Sequence, residues 1–190
     1  MAYSIQDTSS PTYSAVISTA DLKAFLRVTH SDEDALIEAM RAASIQYIEN
    51  FCNLALGDRT AVMYLDDFPQ TMEIPVGPVN SITAIEYATG AASKDTLSAS
   101  NYYVDTNRKP ARVTFINFPS IYQYSHQGVE ITFNYGFAEA DVPEAIVHAI
   151  KLLVSHMYEL RQPEVTGTIT TKVKLGLEAL LNPYRIISFR

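Results

Sequence analysis

Between Val129 and Arg161 the chain reads VEITFNYGFAEADVPEAIVHAIKLLVSHMYELR, and one reading frame of side chains gives way there to another. Val129, Ile131 and Phe133 alternate with Glu130, Thr132 and Asn134, the period-two pattern of a half-buried strand. A Tyr135-Gly136 corner and an acidic linker follow, and then the apolar residues recur at three- and four-residue steps. Pro143 suits the first turn of a helix, where a missing N–H costs nothing, and Asp141 and Glu144 suit the positive end of its dipole. The stretch therefore predicts a strand, a glycine corner and a helix of about 28 Å from Pro143 to Arg161. Its polar stripe (Glu144, His148, Lys151, Ser155, Glu159) is narrow. A helix so apolar needs cover on more than one side, so Ile146, Ile150, Leu153 and Met157 become candidates for a contact with a second subunit.

Upstream, Ser18 or Thr19 can cap a short helix through Val28 that carries Leu22, Phe25 and Leu26. Ser31 can cap a longer one through about Cys52, with Asp32, Glu33 and Asp34 in its first turn. Its expected apolar face is Leu36, Ile37, Met40, Tyr47, Ile48 and Phe51, leaving Glu38, Arg41 and Glu49 to water. From Arg59 the grammar changes to short alternating runs: Ala61–Leu65, Ile82–Tyr87, Tyr102–Asp105, Arg112–Ile116, Val129–Phe133 and a piece near Met72–Ile74. In the second of these, Ile82, Ala84 and Glu86 are expected on one face and Thr83, Ile85 and Tyr87 on the other.

The fold class read from these patterns is α+β, a small helical bundle carrying an antiparallel β-rich insert, built as a single domain. Residues 1–17 form a flexible arm, 18–58 are helical, 59–137 make the β insert, 141–182 are helical again and 183–190 are a tail. QPEVTGTITTKVKLG is expected to be a loop or hairpin, and GLEALLNPYR a last short helix stopped by Asn182 and Pro183.

Chemistry is sparse. His148 and His156 stand eight apart on one helix with Leu152 between, so the His-x-x-x-His spacing of a metal site fails, and no catalytic, cofactor or metal residue is assigned. The lone Cys52 excludes an intrachain disulfide and reads as a small core residue. No phosphate loop, nucleophile elbow or dinucleotide fingerprint is present, and no apolar run approaches the roughly 20 residues of a membrane span. Charge is uneven. Through residue 160 there are 9 Lys/Arg against 19 Asp/Glu, a balance of −10, and from 161 onward 5 against 2, or +3. An acidic body with a basic tail suggests a tail that docks on something acidic in another copy or a partner. Aromatic residues crowd the β region (Tyr102, Tyr103, Phe115, Phe118, Tyr122, Tyr124, Phe133, Tyr135, Phe137), which leaves open an alternative, a nucleic-acid-binding DNA-packaging accessory that stacks bases on the sheet. A hydrolase has only scattered Asp and His in its favour.

Four features in order carry a resemblance: ISTADLKAFLRVTHSDEDALIEAMRAASIQYIENFC near the start, the insert opening IPVGPVNSITAIEY, the block running from NYYVD through ARVTF to the strand–helix stretch above, and LLNPYRI near the end. Together they resemble the head–tail connector (adaptor) proteins of long-tailed bacteriophages, in the longer branch with a β-rich insert. The resemblance implies a non-enzymatic virion protein, made in the host cytoplasm, without cofactors and without a membrane partner. It implies a ring of copies, twelvefold in the virion neck, that docks beneath the portal protein, meets a stopper or tail-completion protein, and lets DNA pass without binding it specifically. The family pattern gives portal docking to the C-terminal segment, here Tyr184, Arg185, Ile186, Ile187, Phe189 and Arg190.

Overall fold

The computed structural model describes residues 3–9, 13–122, 126–138, 141–160 and 170–187. Its strands are β1 (Tyr3–Asp7), β2 (Arg59–Leu65), β3 (Thr71–Ile74), β4 (Val79–Ala88), β5 (Lys94–Thr96), β6 (Tyr102–Asp105), β7 (Ala111–Phe115) and β8 (Val129–Tyr135). Its helices are α1 (Tyr13–Val16), α2 (Thr19–Leu26), α3 (Asp34–Cys52), α4 (Glu144–Glu159) and α5 (Thr170–Leu181), with a 3-10 turn at Asn182–Tyr184. The fold class is α+β, as the side-chain periods required. The chain divides into a β unit (Met1–Pro11, Asp58–Gly136, Ile186–Arg190) and a helical unit (Thr12–Gly57, Phe137–Arg185).

In the β unit, a five-stranded sheet runs in the order β1-β2-β8-β4-β5 and a three-stranded sheet in the order β3-β7-β6, with every pairing antiparallel. The alternation in β8 buries Val129, Ile131, Phe133 and Tyr135 and leaves Glu130, Thr132 and Asn134 half-buried. β2 matches it residue for residue, with Ala61, Met63 and Leu65 on the buried face. The face expectation for β4 is corrected. Its register slips twice against β8, so Ile82 faces Phe133 and Ile85 faces Ile131. A bulged residue between them lets two isoleucines three apart share one face, where strict alternation would oppose them. In the loop after β2, Phe68 collects Phe115, Phe118 and Tyr87 at ring separations of 5.2, 5.6 and 6.0 Å.

The arm expected at residues 1–17 is a strand in part. Tyr3–Asp7 pairs with β2, and Thr8 continues the ladder to Thr60 O at 2.9 Å. Asp7 fastens it: the Tyr135 hydroxyl donates to Asp7 Oδ1 at 2.5 Å and the Arg59 guanidinium lies 3.6 Å from the other oxygen. The short polar run YSIQD gives little periodic signal, because an edge strand is specified by its neighbour rather than by its own burial. β5, also unforeseen, is the exposed tripeptide Lys94–Thr96 on the opposite edge, with Lys94 paired to Glu130.

In the helical unit, Ser18 caps α2 as expected, its oxygen accepting from Asp21 N at 3.0 Å. Ser31 does not cap α3. That helix begins at Asp34 behind Glu33, whose side chain makes no capping bond, and Asp34 N donates instead to Ser31 O. α4 begins at Glu144 with Pro143 in the capping position, and packs mainly on α3, with α2 and α5 also against it. α5 begins at Thr170, several residues earlier than the loop-then-helix expectation; the rest of that expected loop lies outside the described residues.

Burial first, and then the bond to Asp7, push the Tyr135 hydroxyl pKa above its ordinary value. A folded-state pKa above the unfolded one contributes stability that is intact below about pH 10 and is lost as pH rises beyond it. Urea midpoints measured from pH 8 to 11 should therefore fall above about pH 10, and Tyr135→Phe should flatten that decline. An equally steep decline in the variant would remove Tyr135 as its source.

Candidate docking site

Two sets of residues carried functional expectations, the tail and one face of α4. In the tail, the 3-10 turn at Asn182–Tyr184 ends the helical course, as Pro183 requires, and leaves Tyr184 half-buried. Arg185 is exposed, with its guanidinium carbon 5.0 Å from the centre of the Phe51 ring, a cation–π contact. Ile186 is only 3% exposed, whereas Ile187 is 57% exposed. Phe189 and Arg190 lie outside the described residues. The Ile186 side chain fills a notch at Gly77: a β-carbon there would stand 2.8 Å from Ile186 Cδ1.

On α4 the four candidate interface residues separate. Ile146 and Ile150 are wholly buried inside the chain's own helical unit, so they have no surface to offer. Leu153 and Met157 are half-buried. Beside Leu153 runs a groove of about 350 Å³ lined by Leu152, Leu153, Ser155, His156, Glu159 and Leu177, and Leu160 is 41% exposed. The narrow polar stripe foretold that α4 needs cover on several sides, and α2, α3 and α5 supply much of it.

Two charged residues expected to face water are instead inside. Arg41 is 9% exposed and donates to Thr19 Oγ1 at 2.9 Å and to Ile17 O at 3.4 Å. Glu49 is 8% exposed and accepts from Leu56 N at 2.8 Å and from the Tyr13 hydroxyl at 3.3 Å. The buried face of α3 is thus Ile37, Arg41, Ser44, Ile45, Ile48, Glu49 and Cys52, while Leu36 and Tyr47 are largely exposed. Arg41 ties Ile17 and Thr19, at the start of α2, to the middle of α3, and Glu49 ties Tyr13 and the chain leaving α3 to its last turn. Cys52 is fully buried, its thiol directed at Leu181 O at 3.8 Å. Burial pushes its pKa up to about 11 against a smaller opposing pull from Arg185, which disfavours the thiolate of this core residue.

Of the aromatic set that could stack bases, Tyr124 lies outside the described residues. Phe115, Phe133 and Tyr135 are buried, while Tyr103 and Phe118 are the strongly exposed members of the aromatic set among the described residues. Arg108 and Arg112, the cations beside them, both turn to Glu73, at 3.3 and 3.6 Å. Among the described residues, no cluster of His, Cys, Asp and Glu could hold a metal ion, and no helix is long and apolar enough to cross a membrane.

Comparison with known proteins decides the family. A family model described as head completion protein matches residues 15–175. The chain belongs to the head completion protein family. The connector resemblance seen in the sequence is thereby borne out. Among solved structures, this head completion protein is similar to a chain in the neck of an empty gene transfer agent (GTA) particle computed with C6 symmetry, with 23% identity and a TM-score of 0.79. It is similar also to chains of the virion of the native GTA particle (22%, 0.80) and of its neck computed with C12 symmetry (21%, 0.76). Each likeness covers 98% of this chain and 97% of the other, so the two-unit fold is shared from end to end. No curated protein matches.

The difference within α4 can be measured. Ile150→Asp should abolish cooperative folding, because an unpaired charge in an apolar core costs several kcal/mol. Leu153→Asp, at a half-open site, should keep the native circular dichroism spectrum and a cooperative melt. A folded Ile150→Asp protein would contradict the burial described for α4.

Proposed function

We propose that this head completion protein is a structural adaptor of a virion neck: a subunit of a ring that sits beneath the portal, extends the DNA channel and joins the head to the stopper or tail. The observation that carries this reading is the family match over residues 15–175. The end-to-end likeness to chains from GTA necks computed with C6 and C12 symmetry supports it, as a ring of copies would satisfy either symmetry. The ring is a dodecamer in the virion, its lumen passes DNA, and its partners are the portal protein and a stopper or tail-completion protein. The half-buried Leu153 and Met157, with the groove beside them, contribute to the contact between neighbouring copies, and the basic tail provides attachment to the portal.

The mechanism is mechanical and electrostatic and needs no bond chemistry. A wall with the acidic balance of this body repels phosphates at short range, so DNA slides through instead of condensing on the protein. Ring assembly supplies what a single copy lacks, because one tail makes a small contact and many tails on one ring add their contacts to a single partner.

Mass photometry of the chain with and without a purified portal ring tests the reading. A portal-bound ring should form with the wild-type chain and fail to form with Leu153→Asp, and a gel shift with duplex or single-stranded DNA at physiological salt should be blank. A chain that leaves the portal unchanged would overturn the adaptor reading. Sub-micromolar DNA binding that collapses with added salt would favour the packaging accessory instead.

A further inference from the structure

One side of α3 is apolar yet faces solvent. From Leu36, the residues Met40, Ala43, Tyr47 and Phe51 follow at steps of four, three, four and four, the spacing that lines side chains along one face of a helix. Leu36 is 38% exposed, Tyr47 is 44% exposed and Ala43 is open to solvent, while Met40 and Phe51 are half-buried. At about 100° per residue, this stripe stands roughly a third of a turn from the face that Ile37, Arg41, Ser44 and Ile48 bury. A solvated helix face ordinarily carries charge, and this arc carries none: its exposed neighbours Ala39, Gln46 and Asn50 are neutral. Tyr47 stacks on Phe51 at 6.3 Å, and the Arg185 guanidinium lies against the same Phe51 ring, so the stripe ends in a cation.

The same helical unit holds a second apolar surface. The groove beside Leu153, between α4 and α5, has Leu152, Leu153 and Leu177 among its walls, with the exposed Glu159 beside them. It is open at Gly176, where an added β-carbon would meet no atom within 4 Å.

We infer that the α3 stripe of one copy seats in the α4–α5 groove of the next. Resting on the adaptor reading above, this pairing names the surface that the groove meets in a ring. A ridge of large side chains fits a trough that lacks a side chain at Gly176. The charges agree as well, since Arg185 at the end of the stripe finds the Glu159 carboxylate in the groove, a partner suited to its planar fork. Stripe and groove share no residue, so the contact is heterologous, and each copy offers a stripe to one neighbour and a groove to another. Such a contact propagates from copy to copy and closes into a ring when its rotation divides a full turn. Both halves come from this chain, so the occupant is a second copy of it.

Cross-linking between single-cysteine variants reads the contact directly. Asn50→Cys marks the edge of the stripe, and Ala179→Cys, three residues beyond Gly176 on α5, marks the edge of the groove. Both positions are exposed, while the native Cys52 is fully buried. A short bismaleimide should give a covalent dimer from the mixture and at least tenfold less from either protein alone. Adding Tyr47→Asp to the first chain, or Gly176→Leu to the second, should cut the mixed product at least tenfold while circular dichroism stays native. Should Gly176→Leu fail to fold, Tyr47→Asp carries the test. Absence of the mixed product would overturn the contact, and if Tyr47→Asp then weakened attachment to the purified portal, the stripe would belong to the portal instead. A dimer from Asn50→Cys alone would overturn it by pairing stripe with stripe, and a mixed yield that neither blocking change lowers would reduce it to chance collision. A wild-type chain that leaves the portal unchanged would sink the adaptor reading, and the cross-link yields would still decide the contact.

Discussion

Strand β8 is the constraint from which the β unit is built. It is hydrogen-bonded on both edges, to β2 over all seven residues and to β4 through two register shifts. Its four alternating apolar side chains all face the core. Sliding it by one residue would bring Glu130, Thr132 and Asn134 into the core in place of Val129, Ile131 and Phe133, so the pairing has one admissible register. At its end Gly136 takes a φ of 111°, open to glycine at little cost, and its N–H donates to Pro78 O at 2.7 Å. The chain then enters the linker to α4.

What was legible in the sequence follows from this. Elements with a strong period and their own buried face, such as β8, β2, α2 and α4, announce themselves. Elements placed by their neighbours do not. β1 and β5 are edge strands of mixed polarity, specified by the strands beside them. The bulge in β4 breaks an alternation that ITAIEY otherwise displays, and no single residue in that run marks it. Arg41 and Glu49 misled for another reason. A charged residue on a helix reads as solvent-facing until its partners are known, and those partners (Ile17 O, Thr19, Leu56 N, Tyr13) lie outside the helix itself.

The expected site was legible in part. The apolar excess of α4 correctly demanded several neighbours, but periodicity alone cannot divide such a helix between its own core and an outside surface. Ile146 and Ile150 went to the core, whereas Leu153 and Met157 kept some surface. The tail offered apolar residues flanked by two arginines, a pattern that fits both docking outward and folding inward. Ile186 turns inward and Ile187 outward, and the deciding feature, the missing β-carbon of Gly77, stands 109 positions earlier in the chain.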